Sequence, residues 1–154
     1  MSYRIEDEPR PGALAHLVVH PVWPLFAVMF GGAGLSWPWF VLNGFAVGSP
    51  TRRQELAWTI GGFLGSFVIL WTIAFLAAGE VIAGVGIEYA MVVLIIWKLA
   101  VSYWLYVLQG RSFHLYEHYG GRVRNGLLVV IAGSYLCIKL VGSLPPMWRF
   151  LLRW

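Results

Sequence analysis

Charge is what this sequence has least of. Only 12% of its 154 residues are Asp, Glu, Lys or Arg, about half the roughly 25% carried by soluble domains. That is too little to wet a globular surface, and it excludes a disordered tail and a solvent-exposed coiled coil. Cysteine is nearly absent: Cys137 stands alone, so no disulfide forms within one chain and a disulfide-stapled secreted module is ruled out. No basic n-region precedes a short apolar stretch with a cleavage site, so the start does not read as a secretory signal peptide. Active-site signatures are missing as well. Gly31-Gly32-Ala33-Gly34 lies inside an apolar run with no lysine after it, and there is no nucleophile elbow and no cysteine pair.

What is present is apolar: 59% hydrophobic and 16% aromatic residues. The few charges are unevenly placed. Residues 11–51 and 56–79 contain none, 89–110 contain only Lys98, and 125–148 contain only Lys139. A helix crossing a bilayer needs about 20 largely apolar residues. The expectation is therefore an all-α, integral membrane four-helix bundle forming one domain over 1–154, with spans at approximately 23–47, 57–78, 88–108 and 126–144. Residues 11–21 and Met147 to Trp154 read as short interfacial helices at the two termini, the latter because tryptophans alternate with arginines.

Four spans would put the loops 48–56 and 109–125, with Arg52, Arg53, Arg111, Arg122 and Arg124, on one side. The N-terminus, the 79–87 loop and the C-terminus would lie on the other. The 79–87 loop carries Glu80 and no basic residue. The positive-inside rule then makes the arginine-bearing loops cytoplasmic, and the expected location is a bacterial inner (cytoplasmic) membrane. The net charge of +4 suits lipid headgroups, not nucleic acid.

Helices in lipid associate through small residues and hydrogen bonds. Gly32, Ser36 and Asn43 share one face of the first span, with Pro38 expected to kink it. Gly61 and Gly65 make a Gly-xxx-Gly step in the second span. Lys98, Ser102, Tyr106 and Gln109 share a face of the third, and Tyr135 and Lys139 lie one turn apart in the fourth. This polar stripe reads either as helix glue or as a path. Lys98 and Lys139 are costly in hydrocarbon, and Glu80 or Glu88 is the expected ion-pair partner.

His114, Glu117 and His118 form His-x-x-Glu-His, the reversed zinc-protease pattern. It needs a helix running on to Tyr119, with Gly120-Gly121 as the stop. A third ligand is wanting, since Glu55 is the only other candidate on that side, and His16 and His20 are expected on the opposite face. No cofactor is expected. Three readings stay open: an oligomeric or accessory scaffold subunit contacting the bilayer and other membrane-protein subunits or its own copies; an oligomeric ion channel or small-solute transporter lined by the Lys98 stripe; and a zinc-dependent membrane enzyme.

Overall fold

The computed structural model describes Pro9 and residues 12–153. Residues 1–8, Arg10, Pro11 and Trp154, including the outermost residues of the two expected interfacial helices, lie outside the described residues. The described chain is all-α, with a short 3-10 turn at Ala13–Leu17 followed by six helices: α1 (Val22–Gly31), α2 (Ala33–Val47), α3 (Arg52–Ala78), α4 (Val85–His118), α5 (Leu127–Gly142) and α6 (Pro146–Leu152).

Two helices, α3 and α4, are long and apolar enough to cross a membrane. At 1.5 Å per residue their 27 and 34 residues reach roughly 40 and 51 Å. Both are straight products of composition. No proline interrupts either one, and α4 runs unbroken until Gly120 takes φ +77°. Little of them is covered: 17% of the most apolar window of α3 and 28% of that of α4 is buried inside the protein.

The segment expected as one span at 23–47 is two helices. The break is at Gly32, which adopts φ +75°, a conformation that costs an L side chain energy but not glycine. Helix α2 passes through Pro38 without ending, so the expected kink there is replaced by a reversal six residues earlier. The two helices fold back as an antiparallel hairpin. Ser36 Oγ near the tip donates to the Pro24 carbonyl of α1 (2.7 Å). At the open end, the Val19 N–H donates to Asn43 Oδ1 (2.9 Å).

This reversal changes the topology. The hairpin returns the chain to its starting end, so residues 12–21 lie beside the 48–51 and 119–126 connections, not opposite them. The Arg124 N–H donates to the Val18 carbonyl at 2.8 Å, the Tyr116 hydroxyl reaches the Ala15 carbonyl at 3.4 Å, and the His20 ring stands edge-on to Phe113 at 4.8 Å. His20 is therefore on the same end as the 109–125 region, against the sequence expectation.

Packing of the hairpin against α3 and α4 forms the core. Trp37 and Phe40 of α2 pack with Val101 and Leu105 of α4, with Phe63 and Trp97 alongside. A second cluster, Val18, Ala46, Val47, Phe113 and Tyr116, closes the arginine-rich end. Helix α5 lies beside α1, where Trp23 covers Gly126 and Leu35 covers Gly133. Helix α6 was expected at an interface. It is a helix as expected, with residues 146–150 exposed and Leu151 buried against the bundle. The backbone of Leu152 and Arg153 abuts Gly32, where a Cβ would overlap it. The hairpin tip thus needs glycine twice, for its dihedral and for this approach.

Candidate functional site

Polar side chains gather at two levels inside the bundle. The first lies beneath the arginine-rich end. Helix α2 ends where Gly48 takes φ +71°, and the Ser49 N–H caps the Gly44 carbonyl at 3.0 Å. The tight turn from Ser49 to Thr51 brings Glu55, in the first turn of α3, inward instead of toward solvent. Glu55 is fully buried. Its Oε1 accepts from Ser49 Oγ (2.9 Å) and Thr51 Oγ1 (2.9 Å), and its Oε2 accepts from Gln109 Nε2 of α4 (2.8 Å).

The chain of bonds continues. Gln109 Nε2 also donates to the Phe40 carbonyl (2.9 Å), and its Oε1 accepts from Asn43 Nδ2 (2.8 Å). Asn43 Nδ2 shares its second proton with the Val19 carbonyl (3.0 Å). Ser112 lies 3.1 Å from Ser49. Both amide protons of Gln109 and of Asn43 are used, and each carboxylate oxygen has a donor. Five segments are joined: the N-terminal stretch, α2, the 48–51 turn, α3 and α4. Gly44 makes room, because a Cβ there would overlap the Glu55 carboxylate. Buried polar groups matched in this way rigidify a fold, whereas a half-matched set would be costly.

The second level is around Lys98. Its ammonium is buried and donates to the Phe150 carbonyl. That carbonyl belongs to the last turn of α6, whose C=O groups have no intrahelical donor, and a cation suits a helix C-terminus. The expected ion pair with Glu80 or Glu88 is not formed. Both carboxylates are exposed at the far end of α4 and its preceding turn, and α6 occupies the space beside Lys98. One turn on, Ser102 accepts from Trp37 Nε1 (2.9 Å) and donates to the Lys98 carbonyl (2.8 Å). Tyr106 is half-buried against the core. Lys139 is exposed and sits 4.9 Å over the Tyr135 ring, apart from this cluster.

Of the helix-packing residues, Gly32, Ser36 and Asn43 are buried on the inner face of the hairpin. Gly65 meets the Trp97 ring. Gly61 meets nothing within 4 Å, and it is Gly62 that packs on Trp37 and Val101. The Gly-xxx-Gly step is therefore replaced by Gly62 and Gly65, three apart, with the Trp97 indole N–H donating to the Gly62 carbonyl (3.1 Å).

His114, Glu117 and His118 are exposed at the end of α4, where the helix runs as far as the motif needs. No group of three or more His, Cys, Asp or Glu residues is close enough to hold a metal among the described residues. His20 accepts the Val22 N–H (3.1 Å) and His16 reaches the Ala13 carbonyl (2.9 Å), so neither completes the set.

Sequence reading missed the buried Glu55. It stands beside Arg52 and Arg53 and reads as a solvated span end. The available signal was the trio Asn43, Gly44 and Gln109, polar or side-chain-free positions within otherwise apolar helices. No protein-family model matches this chain, and neither does any curated protein or solved structure.

Proposed function

We propose that this is an integral membrane protein whose role is structural: an accessory or scaffold subunit, acting as an oligomer or within a larger membrane complex. The observation that carries the reading is the outer surface. Trp71, Phe75 and Leu128 are 65%, 77% and 78% exposed, and the exposed apolar side chains continue along α3, α4 and α5. Soluble monomers rarely expose apolar patches beyond a few hundred Å². The interior supports a scaffold rather than a conduit, because the Glu55 network is closed on itself and Lys98 is held by a backbone carbonyl.

In this reading α3, α4 and α5 cross the bilayer, while the α1–α2 hairpin enters and returns. Arg52, Arg53, Arg111, Arg122 and Arg124 then face the cytoplasm of a bacterial inner membrane. Non-hydrocarbon-like backbone at the hairpin tip is tolerable because it is covered by protein. The test is flotation with lipid vesicles followed by mass measurement after mild solubilisation. Stable co-purification with other membrane proteins, or a defined homo-oligomer without ion flux in liposomes, supports the scaffold. Retention in the soluble fraction refutes membrane residence.

A channel or transporter is the second reading. One observation favours it: a cavity of ≈ 180 Å³ between Val28, Met29, Ile95, Leu99 and Arg153 has Lys98 in its wall. Ion flux abolished by Lys98→Ala in a folded protein would establish that alternative.

A further inference from the structure

A different cleft has a polar end and an apolar body. It runs between the N-terminal stretch, α2 and α5, with a volume of ≈ 570 Å³. Leu17, Leu35, Pro38, Trp39, Leu42 and Leu128 line its length, and Arg124 and Asn125 stand at its mouth. Asn43 also borders it, but its amide is fully engaged by Val19 and Gln109.

The mouth is built to receive negative charge. The main chain of Arg124 is fixed by its bond to the Val18 carbonyl, which leaves the exposed guanidinium free of any protein partner among the described residues. Asn125 spends its side-chain oxygen on the Leu127 N–H (2.9 Å), so its amide protons remain to donate. The first turn of α5 begins at the same place, and its N–H groups add the positive end of a 16-residue helix. Arg122 lies two residues away on the same connection. Below the mouth, the walls offer only hydrocarbon and an indole ring down to Gly34 and Leu35, beside the hairpin tip.

We propose that this cleft binds one anionic phospholipid, with its phosphate at Arg124 and Asn125 and an acyl chain along α2 and α5. The inference rests on the membrane reading above. Charge complementarity selects the headgroup, because a zwitterionic lipid offers the guanidinium a phosphate already balanced by its own cation. The depth of the apolar walls selects an amphiphile over a free anion. The arginine-rich end is also where headgroups would lie if α3 and α4 cross the bilayer, so head and tail match the cleft in the same orientation.

The experiment uses the full chain, delipidated in neutral detergent, after flotation with phosphatidylcholine vesicles has confirmed that it enters bilayers. Phosphatidylglycerol or phosphatidylcholine is titrated in, and bound lipid is read by native mass spectrometry. Phosphatidylglycerol is expected to be retained preferentially. Arg124→Gln should weaken its retention about fivefold, the factor that one basic side chain near an anionic surface is worth. Arg111→Gln, an exposed arginine on the same end but away from the cleft, should leave retention unchanged. Leu128→Trp should weaken it by narrowing the cleft, and being at an exposed position it should fold normally. Equal retention of the two lipids, or equal loss in Arg124→Gln and Arg111→Gln, overturns the proposal. Full competition by glycerol phosphate, which has no tail, overturns the assignment to an amphiphile. Failure of flotation overturns the membrane reading itself and is seen before any lipid is added.

Discussion

Removing the Glu55 carboxylate should relieve one glycine of its duty, and that coupling can be measured. Glu55 accepts three hydrogen bonds at 2.8–2.9 Å. In Glu55→Ala the hydroxyls of Ser49 and Thr51 can turn to each other, since they already lie 2.7 Å apart. Gln109 has no such freedom, because its other amide proton is held by Phe40 and its oxygen by Asn43. One N–H is left stranded and its hydrogen bond to the Glu55 side chain is lost, a cost of about 2–4 kcal/mol. Gly44→Ala in the native background must displace the carboxylate and break the Gln109 bond, costing about 2–4 kcal/mol. In the Glu55→Ala background the nearest remaining group to that methyl is Gln109 Nε2 at 3.2 Å, and the added cost should fall to about 1 kcal/mol or less. The expected coupling is therefore about 2 kcal/mol, within the range seen for residues in direct contact. The assay is equilibrium unfolding in mixed micelles followed by tryptophan fluorescence. Additive effects, with Gly44→Ala equally costly in both backgrounds, would refute the account of Gly44 as the space the carboxylate occupies.

Other tests address the tip, the topology and the motifs. Gly32→Ala forces a side chain into φ +75° and against the Arg153 backbone, so it should cost at least about 1–3 kcal/mol and increase protease cleavage near residue 150. Lys98→Ala leaves the Phe150 carbonyl without its donor and should destabilise by about 1–3 kcal/mol, while Lys139→Ala, at an exposed site, should stay within about 0.5 kcal/mol in the same unfolding assay. In a Cys137→Ser background, cysteines at Gly12 and Gly120 should react with an impermeant reagent from the same side of a sealed vesicle, and a cysteine at Glu80 from the other; opposite labelling of Gly12 and Gly120 would refute the hairpin. Metal analysis should find no equimolar zinc that is lost on His118→Ala.

Much of the helical content was readable because charge and proline punctuate it. The end of α4 at His118 follows from a proline-free run closed by Gly120-Gly121. The hairpin was not readable. An uninterrupted uncharged stretch has the same composition whether it crosses once or enters and returns. Only the dihedral of Gly32 distinguishes the two, and glycine is common in membrane helices for packing reasons. Gly61 and Gly62 illustrate a related limit. Adjacent glycines differ by about 100° around a helix, and which of them meets Trp37 depends on where the neighbouring helix lies. Lys98 stands out in the sequence as a charge within an apolar run, yet its partner is a backbone carbonyl, which carries no mark in the sequence. Glu55 was passed over for the converse reason: its neighbours advertise an exposed helix start, while its burial depends on residues far away in the chain.

The contact between Gly32 and the Leu152–Arg153 backbone has a consequence for synthesis. At about 5–20 residues per second on the ribosome, the tip is made some 6–24 seconds before the segment that covers it. During that interval the face of Gly32 that later meets residues 152 and 153 stays open, although its own N–H and carbonyl are already bonded within the hairpin. A stalled or slowed ribosome prolongs this exposed state. Completion of the hairpin is in this sense timed by synthesis of the segment that covers its tip rather than by its own folding.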